Sequence, residues 1–285
     1  MKLTLCSEVL RGFDFARQCE LAASLGYAGL EVAPFTLGAK PHLLTSVRVV
    51  EMRKAAADAG IALTGLHWLL VAPEGMSITS ESAATRRFTL DTVSRLIALC
   101  ADMGGRYVVH GSPAQRKLAE GREDKDRANA MAYFDGVARA SEKAGITYLL
   151  EPLSPQQTNF VTSVSEAVDI VETINSPAFS TMIDCSAAGV GETEDVAVLL
   201  CRWLSSGRIA HVHFNDPNRR GPGEGEMDFA PIVAALKSEA YGGWVGVEPF
   251  VYEPDGLACA ARSIGYVRGI ESALAMKENR NGGMR

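Results

Sequence analysis

At 285 residues, 47% hydrophobic and 22% charged, the chain is long enough for one sizeable core and too apolar to be disordered. Its formal net charge of −6 argues against a large phosphate-neutralising surface, so nucleic acid is not an expected partner. The close basic pairs Arg86-Arg87 and Arg219-Arg220 read as solvated faces.

Short apolar runs alternate with longer amphipathic ones along the chain. The first run, 2–7, is too short for a signal peptide and reads as a strand. Phe15, Cys19, Ala22 and Leu25 follow at spacings of three and four, with Gly26 placed to stop that helix. A strand over 29–33 leads to a helix carrying Met52, Ala55, Ala56 and Ala59, closed by Gly60. A strand over 62–66 is followed by a helix from Phe88 to Met103, and a strand over 107–110 by a helix from Met131 to Ala144. Gly104 and Gly145 close those two helices. Strands are expected over 147–151, 180–184, 209–213 and 244–248. Ser165-Glu166 opens the helix after the fifth strand, and Asp228 caps one beginning near Phe229.

Several of the short runs are apolar at consecutive positions, as in parallel strands buried on both faces. Eight strand–helix units predict a TIM (β/α)8 barrel as a single domain over 1–276, with 277–285 a flexible, polar C-terminal tail. A doubly wound open sheet is the main alternative, but no G-x-G-x-x-G follows the first strand, so a dinucleotide site is not expected. Cys6, Cys19, Cys100, Cys185, Cys201 and Cys259 are scattered without a C-x-x-C pair, which suits reduced thiols and a cytoplasmic protein. No stretch is long and apolar enough to span a bilayer, so no membrane partner is expected.

In a barrel, reactive groups sit at the C-terminal ends of the strands. The fifth strand ends Leu149-Leu150-Glu151, the sixth Met182-Ile183-Asp184, the seventh His211-Val212-His213 and the eighth Gly246-Val247-Glu248. Any one of these alone reads as a strand-end polar residue paired with a Lys or Arg. Four at consecutive strand ends bring three carboxylates and an imidazole to one rim, where mutual repulsion is relieved by a divalent cation. Three oxygens and one nitrogen suit Mn²⁺, Mg²⁺, Co²⁺ or Zn²⁺, and the absence of thiolate speaks against a structural zinc. His211 lies two residues before His213, so it faces the same way but sits deeper, below the metal. His67 in Leu66-His67-Trp68 and His110 in Val109-His110-Gly111 also stand at strand ends. Each reads either as a hydrogen-bonded structural histidine or as a substrate contact, with Trp68 as an apolar wall beside it. Glu8 is a weaker candidate of the same kind.

Leu150-Glu151-Pro152-Leu153, Met182-Ile183-Asp184, the run from His211 to Gly225 through Asn218-Arg219-Arg220, and Gly246-Val247-Glu248-Pro249-Phe250 resemble the sugar phosphate isomerase/epimerase group of xylose isomerase-like barrels. The pattern is similar to that of ketose 3-epimerases of the tagatose/psicose type. The resemblance implies one divalent metal, Mn²⁺ first, on Glu151, Asp184, His213 and Glu248, and the 35-residue gap from His213 to Glu248 matches the spacing in that group. It implies Glu151 and Glu248 as the acid/base pair that takes a proton from beside the carbonyl and returns it through a metal-stabilised enediolate. It implies Arg219 as a substrate contact, a small sugar as substrate and a homo-oligomer, dimer or tetramer. The sequence departs from the group at two substrate-contacting positions. Ala187 stands where a histidine is usual, three residues after the metal aspartate, and Gln157 where a glutamate is usual, six after the first metal glutamate.

These departures keep an inosose-type dehydratase or lyase on the same metal site in view as the alternative reaction. A non-catalytic sugar-binding or partner barrel is the alternative of another class. Apurinic endonucleases of the endonuclease IV type share the barrel, but their metal cluster needs further histidines, and Ala187 breaks that pattern.

Overall fold

The structure is a computed structural model and describes residues 1–282. Eight parallel strands close into a barrel in sequence order: β1 Lys2–Cys6, β2 Gly29–Val32, β3 Ala62–Leu66, β4 Tyr107–His110, β5 Thr147–Leu150, β6 Phe179–Asp184, β7 Ile209–Phe214 and β8 Trp244–Val247, with β8 returning to β1. The outer helices are α1 Phe15–Ser24, α2 Ser46–Ala59, α3 Ala83–Met103, α4 Glu123–Ala144, α5 Val164–Ile174, α7 Val196–Leu204, α8 Phe229–Ser238 and α9 Gly256–Gly282. A further short helix, α6 Cys185–Gly191, begins where β6 ends. The TIM barrel expected from the alternation is therefore the fold. Among the described residues no helix is long and apolar enough to cross a membrane.

Local chemistry sets the boundaries. Asp14, Thr45, Ser82 and Ser163 each accept a backbone N–H from the first turn of α1, α2, α3 and α5. Gly60, Gly104 and Gly145 end α2, α3 and α4 in the left-handed conformation. The helices α3 and α4 begin before the expected Phe88 and Met131, because their first turns are mostly exposed and carry no apolar stripe. The cap of α5 is Ser163 rather than Ser165, and Glu166 reaches back to the Thr162 N–H. The last helix continues past Met276 to Gly282, and the remainder of the expected tail lies outside the described residues.

Apolar side chains fill two spaces. The larger lies between strands and helices, where Leu30, Val32, Leu66, Val108, Tyr148, Leu150, Ile183, Val212, Val245 and Val247 meet the helical layer. The smaller is the floor inside the barrel, built from Tyr107, Val109, Leu149 and Met182 with Trp244 against it. Above that floor the interior turns polar, which is where the candidate site begins.

Candidate metal centre

The period of two along each strand decides which residues enter the barrel. On β6 this sends Met182 and Asp184 inward, and on β7 His211 and His213. Asp184 pairs in register with His213, and His213 with Gly246 on β8, so the ends of three strands meet at one level. Glu151 and Glu248 each follow the last ladder residue of their strand. The four side chains Glu151, Asp184, His213 and Glu248 are buried, and each brings one ligand atom within 4.8 Å of the others. His213 Nδ1 lies 2.9 Å from Glu248 Oε2, 3.7 Å from Glu151 Oε1 and 4.0 Å from Asp184 Oδ2. The four residues expected from the strand ends thus converge.

Neighbouring groups hold this arrangement. Asp184 also caps α6, its Oδ1 accepting the Ala187 N–H at 2.6 Å, while Oδ2 accepts from Asn215 Nδ2 at 2.7 Å. The same Asn215 amide donates to the Glu248 carbonyl. Two glycines make room. A Cβ on Gly111 would collide with Glu151 Oε2, and one on Gly246 would sit 2.7 Å from His213 Cδ2. The fully buried Arg116 guanidinium donates to the carbonyls of Glu151, His110 and Val161, pinning the loop behind Glu151. Its burial pulls its pKa down to about 10.

One level deeper lies Glu31 of β2, which sequence reasoning missed. It accepts from Tyr107 Oη at 2.6 Å, and its oxygens lie 3.0 Å from His211 Nε2 and 2.9 Å from His213 Nε2. Burial would raise its pKa, but His211 and His213 outweigh that and hold Glu31 well below the usual carboxylate range. With Nε2 turned to Glu31, His213 presents Nδ1 to the three rim carboxylates. A carboxylate behind an imidazole fixes its tautomer and orientation for a metal on the other nitrogen.

The electrostatics point the same way. Burial, then Glu151 and Glu248, push Asp184 up to about 8. Burial raises Glu248 as well, with Glu151 adding to it. His213 is pulled down by burial but raised overall by Glu248 and Glu31. Asp184 and Glu248, crowded in low dielectric, hold their protons more tightly than free acids, and a divalent cation would replace those protons. The donor set fits such an ion, since three carboxylates and one pre-oriented imidazole bring ligand atoms within 4.8 Å of one another.

A cavity of about 400 Å³ opens above the quartet, lined in part by Glu151, Asp184, Glu248, Trp68, Gln157, Ala187, Arg219 and Phe250. A larger groove of about 890 Å³ beside α7 and α8 touches none of the four residues. Trp68 packs edge-on against Phe250 at 5.7 Å, and the Arg219 guanidinium lies 5.1 Å above the same ring. Trp68 and Arg219 both hold positive φ, 54° and 68°. Such backbone is held only where its surroundings dictate it. For Arg219 the surroundings are the Asp216 carbonyl, which accepts its N–H, and the Phe250 and Val251 N–H groups, which donate to its carbonyl. The Gln157 Oε1 accepts from Ser154 N and Oγ, which turns its NH₂ away from that pair as a free donor. Phe250 belongs to this wall and had no role in the sequence reading beyond the motif around it.

Two expected substrate contacts sit elsewhere. His67 does not line the cavity. It is buried behind Glu248, with Nε2 2.9 Å from Glu8 Oε2 and 3.7 Å from Glu248 Oε1. His110 faces the helices, because Tyr107 and Val109 take the inward positions of β4. Its Nδ1 lies 2.6 Å from Tyr148 Oη among Tyr133 and Phe134, and burial, with Arg116 nearby, keeps its pKa well below the usual range.

Comparisons with known proteins bear on this architecture. The chain is 24% identical over 242 residues to the D-psicose 3-epimerase of Enterocloster bolteae, covering 84% of this chain and 78% of that protein. It is 25% identical over 244 residues to the D-psicose 3-epimerase of Ruminiclostridium cellulolyticum, covering 84% and 79%. A solved L-ribulose 3-epimerase superposes with a TM-score of 0.82 at 22% identity, covering 97% of this chain and 96% of that one. Residues 19–270 match the model of one family, and the chain belongs to it: the xylose isomerase-like TIM barrels.

Proposed function

We propose that this chain is a divalent-metal-dependent epimerase of a keto-sugar. The carrying observation is the buried Glu151–Asp184–His213–Glu248 quartet beneath a cavity of sugar size. The names of the relatives, psicose and ribulose 3-epimerases, agree with it. A cation held by the four, Mn²⁺ first, would polarise a carbonyl and its neighbouring hydroxyl and offset charge on the enediolate. The chain's own groups do the rest. Glu151 and Glu248 approach the substrate position from different strands, so one, as carboxylate, takes the proton from the carbon beside the carbonyl, and the other, already protonated from solvent, delivers its own proton to the opposite face; exchange with solvent then resets both groups. Trp68 and Phe250 offer apolar ring faces to the sugar, while Arg219 and the Gln157 amide donate to its oxygens. Ala187 places only a methyl and its capping N–H at the cavity wall, leaving room beside Asp184.

The test is product analysis in heavy water with the Mn²⁺-loaded protein and a panel containing D-psicose and L-ribulose. Solvent deuterium should appear at an inverted carbon next to the carbonyl. Glu151→Gln and Glu248→Gln should each lower turnover by about 10²–10⁴-fold, the usual worth of a positioned acid or base. A product lighter by one water would replace epimerisation with dehydration. Absence of exchange with every sugar in the panel would remove the proposal.

A further inference from the structure

Behind the quartet a second set of donors converges. Cys6 at the end of β1, Glu8 in the turn after it, His67 after β3, and Glu248 bring one ligand atom each within 4.8 Å of one another, and all four are buried. Cys6, Glu8 and His67 take no part in the cavity wall. Glu8 Oε1 is buried without a hydrogen-bond partner, and so is His67 Nδ1. A buried carboxylate oxygen left in that state is costly unless a ligand fills the space beside it.

Two geometric features point to a cation. Glu248 divides its oxygens, with Oε2 2.9 Å from His213 Nδ1 on the quartet side and Oε1 3.7 Å from His67 Nε2 on the other. A carboxylate placed between two donor groups can serve both ions of a two-metal site. Glu31 stands behind both imidazoles, with Oε1 2.9 Å from His213 Nε2 and 3.6 Å from His67 Nδ1. His213 is thus held by Glu31 through Nε2 and turns Nδ1 to the quartet, while His67 only lies beside Glu31 and turns Nε2 to Glu8 and Glu248.

We propose a second divalent-cation site formed by Cys6, Glu8, His67 and Glu248, adjacent to the quartet and sharing Glu248 with it. Its thiolate makes it softer than the quartet, so it takes Zn²⁺ or Co²⁺ in preference to Mn²⁺ or Mg²⁺. Loading releases the Cys6 thiol proton and any proton on His67 Nε2, which the ion replaces. The site does not depend on which reaction the quartet supports.

The experiment is a Co²⁺ titration of the full metal-free chain, followed by absorption and elemental analysis. The quartet contains no sulfur, so a thiolate-to-Co²⁺ charge-transfer band in the near ultraviolet that depends on both Cys6 and Glu8 reports the second site. The parent chain should bind two Co²⁺ and develop the band, and prior filling of the quartet with Mn²⁺ should leave the band in place. Cys6→Ser should lose the band and one Co²⁺, and Glu8→Gln, which keeps the thiol, should also lose one Co²⁺. A parent chain that binds one Co²⁺ without the band overturns the proposal, as does a band that survives in Cys6→Ser. Failure of the epimerase assay alongside a normal band would count against the proposed reaction and not against this site.

Discussion

Glu31 decides how His213 meets the rim. Its carboxylate takes a hydroxyl from Tyr107 and sits against two imidazoles, and the His213 contact fixes which nitrogen faces the three acids. Glu31→Gln can still accept a hydrogen bond but loses the charge that orients both rings. Mn²⁺ affinity should fall by about 10–100-fold, the usual effect of changing a partner of a metal-ligating histidine, with calorimetric titration as the measurement. Gly111 acts by omission. A methyl there would occupy the place of Glu151 Oε2, so Gly111→Ala must push the carboxylate aside. A displacement of that size should lower turnover by about 10²-fold while the thermal midpoint moves little, because only the end of a side chain gives way. An unchanged rate in Gly111→Ala would mean that the Glu151 carboxylate does not work from this position.

Among the elements, α6 shows how closely fold and site are joined. Its cap and one of the quartet are the same carboxylate, since Asp184 Oδ1 takes the Ala187 N–H while Oδ2 lies 4.0 Å from His213 Nδ1. Asn caps helices as well as Asp. Asp184→Asn should therefore keep α6 capped, with relief of the crowded acid set against loss of the Asn215 hydrogen bond, so that the metal-free protein stays within about 1 kcal/mol of the parent while Mn²⁺ binds far more weakly. Asp184→Ala should lose both properties, and paired melting and binding curves separate the two roles. The strand ends were readable in the sequence because apolar runs stop at Glu151, Asp184, His213 and Glu248. The facing of a strand was less readable. His110 ends β4 just as His213 stands near the end of β7, and only the ladder shows that Tyr107 and Val109 take the inward positions. Nothing in the sequence marks Arg116, whose partners are backbone carbonyls from distant segments. Removing its guanidinium in Arg116→Met leaves those carbonyls unpaired and should cost about 1–3 kcal/mol or more of stability, measured by denaturant unfolding.

At the scale of the whole molecule, the eight strand–helix units could be read from periodicity, and closure of the barrel follows from their number. The polar layer around Glu31 could not, because closure alone brings it to His213, 182 positions away in the chain. That layer and the rim make the interior rich in buried acids, and this has a consequence for stability against pH in the metal-free chain. Asp184, pushed up to about 8 by burial, Glu151 and Glu248, has an ordinary value of 3.8. Between those values the folded chain binds more protons than the unfolded one, so stability falls as pH rises. His67, pulled down by burial but raised to about 9 by Glu8, contributes stability that is full below its ordinary 6.5 and lost as pH passes about 9. His110 and His211, lowered first by burial, act in the opposite sense, but only below about 6.5, where the unfolded imidazoles charge. The window from about pH 6.5 to 9 is thus one in which these groups combine to a decline. The thermal midpoint of the metal-free chain should fall across it, and Asp184→Asn should flatten that fall. Saturating Mn²⁺ should reverse it, because the ion takes the place of the Asp184 proton and binds more tightly as pH rises. A metal-free midpoint that stays level or climbs over this range would mean that the quartet is already ionised without a cation, and the electrostatic case for a resident metal would be lost.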